Sequence, residues 1–382
     1  AYDCIIPFSG GKDSVFQVNY LMKEYKIKPL LVRFNHGFIR KTIQENVKKI
    51  LAIASFIKSI TSREKLLAEA IRSLGLKRPL CLIDVGSAKG MPQRWSKIRE
   101  EVYAYGFEPD KGAREKLQQK AKFTGGGNLD SPFALSDKKE KLEINILSKP
   151  SHSSVLEPNY KILNRFPERH LEHFELDYKL TVDASDLDSL EFEAKDFMKI
   201  DVQGYELKVL EGSKSSLKDM LGLEVEIEFI EMYRNQCSFG EIKDFLHQHD
   251  LEFVDFTTIC RWERDTPMNN LGICMGGDAL FLRTPEYIYQ NYENDSEKLD
   301  AYLSICLIYK RFDLILKTIN LFKLENSKAY SKFLKISKLL RRRLNYADRL
   351  SSITYQIIGF FIPETDASKM FYYLLRATLL YY

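Results

Sequence analysis

Residues 80–108 combine a glycine turn with acidic side chains in the spacing of a nucleoside-binding site. The apolar run Leu80–Val85 predicts a buried strand, and the turn Gly86-Ser87-Ala88-Lys89-Gly90 follows it. A helix-like segment, PQRWSKIREE, and a second strand, YAYGF, then lead to Glu108. In a doubly wound sheet such a turn lets a ligand lie against the backbone at the carboxyl end of the first strand. An acid at the end of the second strand can accept hydrogen bonds from both ribose hydroxyls.

The spacing alone leaves NAD open as the nucleoside ligand. The turn reads G-x-x-x-G, however, whereas dinucleotide folds carry G-x-G-x-x-G around the pyrophosphate. A ligand without a pyrophosphate therefore fits this loop better.

A second loop with ligand-binding chemistry, SGGKDS, occupies residues 9–14. Gly10 and Gly11 let the backbone approach an anion, Lys12 adds positive charge, and Asp13 could hold a magnesium ion. The flanking runs YDCIIPF and PLLVRF predict two strands, with a helical pattern between them. This β-α-β unit favours phosphate binding. The chain begins without methionine and almost at once inside the first strand, which predicts a cut N-terminus.

Composition excludes several classes of function. The chain has 382 residues, 45% hydrophobic and 29% charged, enough for a sizeable core and two units. A dispersed net charge of +4 argues against nucleic acid as a partner. The six cysteines are scattered without a C-x-x-C pair, which predicts no metal site and a reducing, cytoplasmic location. No signal peptide or membrane-spanning apolar run is visible.

The middle of the chain resembles the FkbM family of class I S-adenosylmethionine methyltransferases. IDVGSAKG and GFEPD resemble the first two class I motifs, and FMKIDVQGYELKVLEGS, residues 197–213, resembles the FkbM signature. FALSDKKEKLEINI, SHSSVLEPN, VEIEFIEMYRNQCSF and GGDALFLR resemble further family segments in the family's order. The resemblance covers about residues 77–283. It implies a Rossmann-like fold and S-adenosylmethionine as the cofactor.

The resemblance also implies roles for individual residues. The methionine part of the cofactor would contact the first turn through Asp84, Gly86, Ser87 and Gly90, and the ribose would bind to Glu108. The adenine would lie near Ser136 and Asp137 of the ALSD segment. The methyl group would face Asp201, the acid that ends FMKID. Asp201 is the first candidate for a general base and Glu206 the second.

Several of these residues have alternative interpretations. Asp84 could cap the turn, and Glu206 could belong to a solvated helix face. Glu226 and Glu228 alternate with apolar residues in a strand, so that one face of the strand could point into the pocket. No set of residues is predicted to bind a metal ion.

The first 50 residues resemble the PP-loop of ATP pyrophosphatases, in the branch of N-acetyl sugar amidotransferases. The resemblance rests on YDCIIPFSGGKDSVFQVNYLMKEYKIKPLLVRFNHGF and fades soon after residue 50. Ser9, Gly10, Gly11, Lys12, Asp13 and Ser14 would form a vestigial phosphate loop, and ATP with magnesium would bind only if that segment is functional. About 50 residues cannot form a complete domain of this kind.

These observations predict an α/β protein: a doubly wound, mostly parallel, Rossmann-like sheet preceded by a partial β-α-β unit and followed by helices. The expected divisions are 1–50 (partial PP-loop segment), 51–76 (helical linker), 77–284 (methyltransferase domain) and 285–382 (helical extension). The extension ends in FYYLLRATLLYY. It is expected to cap the domain or form a dimer surface, with peripheral membrane contact as the alternative.

The expected function is in-line transfer of a methyl group from S-adenosylmethionine to an oxygen of a sugar or glycolipid-type acceptor. The oxygen follows from the FkbM resemblance, and the sugar from the N-terminal resemblance, since both activities suit surface-polysaccharide biosynthesis. Two alternatives stay open: a fragment of an ATP-dependent N-acetyl sugar amidotransferase, and a non-catalytic module that binds S-adenosylmethionine.

Overall fold

The computed structural model describes residues 4–7, 29–32, 66–112, 114–115, 128–264, 272–324 and 327–342. The chain divides into two units, residues 67–337 and residues 1–66 with 338–382. The loop SGGKDS (9–14) and the final segment FYYLLRATLLYY lie outside the described residues, so the predictions about them still stand on the sequence.

In the smaller unit two short strands pair in parallel. Strand β1 is Cys4–Pro7 and strand β2 is Pro29–Val32, with Cys4 opposite Pro29. Both lie inside the runs that the sequence predicts as strands.

The larger unit is built on a seven-stranded sheet. Its order is β11-β12-β10-β9-β3-β4-β5. The strands are β3 Leu80–Val85, β4 Val102–Phe107, β5 Asn128–Ser131, β9 Phe197–Ile200, β10 Gly222–Glu228, β11 Glu252–Trp262 and β12 Ile273–Leu282. Neighbours from β5 to β10 run parallel, whereas β12 is antiparallel to both β10 and β11. This mostly parallel, doubly wound sheet confirms the predicted Rossmann-like class I fold.

The strand order reverses between β3 and β9. From β3 the chain builds the sheet outward through β4 and β5, and it later returns to the other side of β3 with β9 and β10. Ligands of open α/β sheets bind outside the carboxyl ends of the strands at such a reversal. The segments that follow Val85 and Ile200 lie at this point.

The central strands are largely apolar because both faces of the sheet are covered. Every residue of β3 is buried. On one face Ile83, Met198 and Leu223 belong to a single cluster. On the other, Trp95 is fully buried, 5.1 Å from Phe197 between ring centroids. Trp95 therefore packs in the core.

A second, three-stranded sheet has the order β6-β8-β7. Strand β6 is Ala134–Leu135, β7 is Glu140–Leu147 and β8 is Leu176–Ser185; β8 runs antiparallel to β7 and parallel to β6.

Helices occupy the crossovers between strands and follow the last strand, β12. Residues 66–74 and 328–342 are helical, and the other α-helices are Gln93–Ser96, Tyr160–Leu163, Glu168–Leu171, Glu206–Glu211, Phe239–His247, Pro285–Tyr292, Ser296–Ile308 and Phe312–Leu321. The helical C-terminal region is thus confirmed. Within the described residues, no helix has the length and apolarity needed to cross a membrane.

The C-terminal helices complete the core of the larger unit. Ser296–Ile308 is buried on most sides, and the Tyr302 hydroxyl donates to the carbonyl of Arg283 at 2.8 Å. The hydroxyl of Tyr309 donates to Glu224 Oε2 in β10, also at 2.8 Å. These contacts tie the helices directly to the sheet.

Candidate functional site

The turn after β3 is held against the segment that follows β9. Gly86 has φ +80°, and a Cβ atom there would lie 2.0 Å from the backbone oxygen of Asp201. Its N–H donates to the carbonyl of Phe107 at 3.0 Å. Gly90, with φ +78°, closes the turn by donating to the carbonyl of Ser87 at 2.7 Å. Glycine is thus required at position 86 both by its conformation and by the neighbouring backbone.

The turn contains a buried polar atom without a partner. Ser87 is 4% exposed, and its Oγ makes no hydrogen bond to any described residue. Most buried hydroxyls in native proteins are hydrogen-bonded, so an orphan in a glycine turn indicates a position where a ligand supplies the partner.

Glu108 lies directly after β4, as the sequence predicts, and its side chain is buried. Its N–H donates to the carbonyl of Ser131 at 3.1 Å, and its Oε1 accepts from the N–H of Asp110 at 2.9 Å. Burial raises the pKa of Glu108 to about 7, and the nearby Asp84 carboxylate adds to the rise. Only 6% of the residue is exposed. A ligand that brings hydroxyl donors would compensate this desolvated carboxylate.

Asp201 begins the segment after β9. Its N–H donates to the carbonyl of Val85 at 3.0 Å, which extends the parallel ladder beyond Ile200. Oδ2 pairs with Lys199 Nζ at 3.0 Å, and Oδ1 accepts from Gln203 Nε2 at 3.1 Å. The carboxylate is therefore held in one orientation at the point where the strand order reverses.

Lys199 is a functional candidate that the sequence analysis missed. Burial lowers its pKa, but the carboxylates of Asp201, Asp84 and Asp278 outweigh burial and hold the pKa above its ordinary value. The residue is thus a permanent cation among three acids. A lysine inside a four-residue buried strand, FMKI, was the signal that could have identified it.

Gln203 was also missed, and it connects the site. It is 5% exposed and has φ +59°, a conformation that residues other than glycine rarely adopt. Its Nε2 donates to Asp201 and to Glu226 Oε2, while its Oε1 accepts from the hydroxyl of Tyr233 at 2.8 Å. No signal in the sequence distinguishes this glutamine from an exposed one.

Glu206 is fully buried at the start of its helix, so it does not belong to a solvated helix face. Its Oε1 accepts from the N–H groups of Val202 and Gly204, at 3.1 and 3.2 Å, and the thiol of Cys237 donates to Oε2 at 3.6 Å. Burial raises its pKa above the ordinary value. These contacts give Glu206 a structural task, fixing residues 201–206; its role as a second base stays a prediction.

Among the described residues, the side-chain partners of Ser136 and Asp137 lie outside the segment that carries Glu108. The Ser136 hydroxyl lies 2.8 Å from Glu140 Oε1 and 3.1 Å from the hydroxyl of Tyr205. Asp137 pairs with Lys208 Nζ at 2.9 Å. The structure thus brings together the turn after β3, Glu108 and Asp201, whereas the adenine role of Ser136 and Asp137 stays a prediction.

Comparison with known proteins finds a methyltransferase family model that matches this region. Residues 84–253 match the family model described as the Methyltransferase FkbM domain. An uncharacterized protein of Methanocaldococcus jannaschii is 39% identical over 49 residues. That match spans 13% of this chain and only 18% of the archaeal protein, so the archaeal protein adds nothing about activity.

Solved structures show weak similarity. A methyltransferase FkbM from Methylobacillus flagellatus is 10% identical with a TM-score of 0.33, over 71% of this chain and 72% of its own. The magnesium protoporphyrin IX methyltransferase of Synechocystis, solved with bound S-adenosylmethionine, is 10% identical with a TM-score of 0.30, over 72% and 98%. These scores are too low to support any conclusion about the site. Residues 84–253, which include the carboxyl ends of β3, β4 and β9, thus resemble a methyltransferase domain of the FkbM type.

Proposed function

We propose that this domain transfers the methyl group of S-adenosylmethionine to a hydroxyl oxygen of a sugar or glycolipid-type acceptor. The observation that carries the proposal is the buried Glu108 carboxylate beside the glycine turn after β3, at the reversal of strand order. A ribose diol would satisfy this carboxylate, and the match to the FkbM methyltransferase domain covers the same part of the chain.

The residues present fit this cofactor. The orphaned Oγ of Ser87 and the carboxylate of Glu108 offer partners for its polar groups, and Gly86 and Gly90 leave the backbone open to it. Asp84 is the penultimate residue of β3, near the carboxyl end of that buried strand. When bound, S-adenosylmethionine supplies an electrophilic methyl group on a sulfonium sulfur.

The chain itself contributes orientation and proton acceptance. Asp201 is held by Lys199 and Gln203, so its carboxylate meets an acceptor hydroxyl without a conformational search. Acceptance of the hydroxyl proton by a positioned base contributes about 10²–10⁴-fold in rate. The ammonium group of Lys199 keeps this neighbourhood of acids from becoming strongly negative.

The acceptor class rests on the sequence of residues 1–50. Their resemblance to N-acetyl sugar amidotransferases supports a sugar as the acceptor. A sugar hydroxyl in surface-polysaccharide biosynthesis is therefore the acceptor that suits both resemblances, that of residues 1–50 and that of the FkbM-like domain.

Calorimetric titration with S-adenosylhomocysteine tests the cofactor assignment. We expect one site per chain in the parent, and binding at least 30-fold weaker in Glu108→Ala, since the loss of two hydrogen bonds to a buried carboxylate costs about 2–4 kcal/mol. Asp177→Asn, which changes an exposed carboxylate in β8, is the matched control and should bind as the parent does. Parent-like binding by Glu108→Ala would refute the assignment.

Methyl transfer from radiolabelled S-adenosylmethionine to a panel of nucleotide sugars and glycolipids tests the acceptor. Label in a sugar product supports the proposed class. Label only in acceptors that contain no sugar rejects that class but not methyl transfer, and tight binding with no turnover on any acceptor favours the non-catalytic module.

A second function is favoured by one observation, the sequence SGGKDS. If residues 9–14 act in an ATP-dependent amidotransferase, the chain should release AMP and pyrophosphate from ATP and magnesium in the presence of an N-acetyl sugar. Absence of AMP in that assay removes this alternative.

A further inference from the structure

Three carboxylates meet beside the segment that follows β9. Glu206, Glu226 and Glu228 each offer an oxygen, and the three oxygens lie within 4.8 Å of one another. Glu226 and Glu228 share a face of β10 because side chains two apart in a strand point the same way. The register pairs Val225 with Ile200, so Glu226 is level with Asp201.

Glu228 is the member of this cluster whose carboxylate has no hydrogen-bond partner among the described residues. The residue is 4% exposed, and neither of its carboxylate oxygens accepts a hydrogen bond from any described residue. By contrast, Glu206 accepts two backbone N–H groups and Glu226 accepts from Gln203. A buried carboxylate with no donor is costly, and native proteins pair such groups or use them to coordinate a metal.

The described side chains supply no cation for these acids. None of the ion pairs among described residues involves Glu206, Glu226 or Glu228, whereas the neighbouring Lys199 is paired with Asp201. Three converging carboxylates that lack a basic partner have the composition of a site for a hard cation. Glu206 and Glu228 are buried, and Glu226 is partly exposed.

We propose that Glu206, Glu226 and Glu228 bind one divalent cation that prefers oxygen ligands, of the Mg²⁺, Mn²⁺ or Ca²⁺ class. Zinc is disfavoured because all three carboxylates offer oxygen, whereas zinc sites in proteins usually include nitrogen or sulfur ligands. The cation would join β10 to the start of the helix Glu206–Glu211 and so hold the segment that carries Asp201. It would lie on the side of Asp201 away from the β3 turn, because β10 and β3 flank β9 on opposite sides.

Titration of the full chain with Mn²⁺ after treatment with EDTA tests the proposal, with free Mn²⁺ followed by electron paramagnetic resonance. We expect one Mn²⁺ per chain, displaced by excess Mg²⁺ or Ca²⁺. Glu228→Gln should weaken binding by about 100-fold or more, since changes in the groups that merely support metal ligands already cost about 10–100-fold. The melting temperature of the parent should rise with Mn²⁺ concentration, and that of Glu228→Gln should not.

Glu231→Gln is the matched control, because Glu231 is an exposed acid three residues beyond Glu228. Its binding should equal that of the parent. Glu226→Gln serves as a second ligand variant if Glu228→Gln fails to fold. Absence of Mn²⁺ and Ca²⁺ binding by the parent up to millimolar concentration, or parent-like binding by both ligand variants, would overturn the proposal. S-adenosylhomocysteine binding measured with EDTA and with Mn²⁺ separates this result from failure of the proposed methyltransferase.

Discussion

Glu108→Gln should weaken cofactor binding and stabilise the free protein at the same time. The substitution keeps the size of the side chain and an oxygen that can accept from the N–H of Asp110. It removes a negative charge that burial makes unfavourable in the folded state, where the pKa is about 7 instead of the ordinary 4.5. A shift of that size corresponds to about 3 kcal/mol.

The size of the stabilisation by Glu108→Gln depends on pH. Below pH 4.5 Glu108 is protonated in both the folded and the unfolded chain, so the substitution should change stability little. Between pH 4.5 and pH 7 the unfolded chain loses the proton first, and the penalty on the folded parent grows to its full value above pH 7. Glu108→Gln should therefore raise the melting temperature at pH 8 by up to about 10 °C, and hardly at pH 4.

Cofactor binding should change in the opposite direction. The ionised carboxylate accepts the ribose hydroxyls, so the amide should bind S-adenosylhomocysteine about 30–1000-fold more weakly above pH 7. In the parent, affinity should fall as the pH drops below 7, by at most tenfold per pH unit, because binding must then release the proton of Glu108.

Calorimetric titration and thermal unfolding at pH 4, 6 and 8 measure both effects, with Asp177→Asn as the control. Parent-like binding by Glu108→Gln at pH 8 would show that the ribose does not lie on this residue. An unchanged melting temperature at pH 8 would show that Glu108 is not a desolvated carboxylate in the free protein.

Three further predictions concern the turns and loops. Asp201→Asn should lower turnover with an identified acceptor by about 10²–10⁴-fold and change S-adenosylhomocysteine affinity far less, as kinetics and calorimetry would show; full turnover would make Asp201 structural. Gly86→Ala should destabilise the protein more than Gly75→Ala in denaturant unfolding, because both have φ near +80° but only position 86 faces a backbone oxygen; equal losses would contradict this contact. Lys12→Ala should leave methyl transfer unchanged in the radiolabel assay, and the parent should not convert ATP to AMP. If the parent releases pyrophosphate from ATP and Lys12→Ala does not, the result would instead favour the amidotransferase.

The sequence by itself determined where the central strands lie along the chain, and that Glu108 follows the second of them. Short apolar runs predict β3, β4 and β9 within a few residues, because strands covered on both faces are mostly apolar. The acid after β4 follows from the same logic, since the carboxyl ends of parallel strands meet at one edge. The chemistry of methyl transfer came from ordered motifs and not from composition.

Only the tertiary structure decided which groups contact the acidic side chains of the site. Alternation in β10 shows that Glu226 and Glu228 share a face, but not that Glu206 approaches them from a different crossover. The sequence likewise left Glu206 open as an exposed helix residue, whereas the structure buries it against the N–H groups of Val202 and Gly204. The reason is physical: periodicity records which side of an element is covered, while the identity of the covering group depends on the register and packing of strands far apart in the chain.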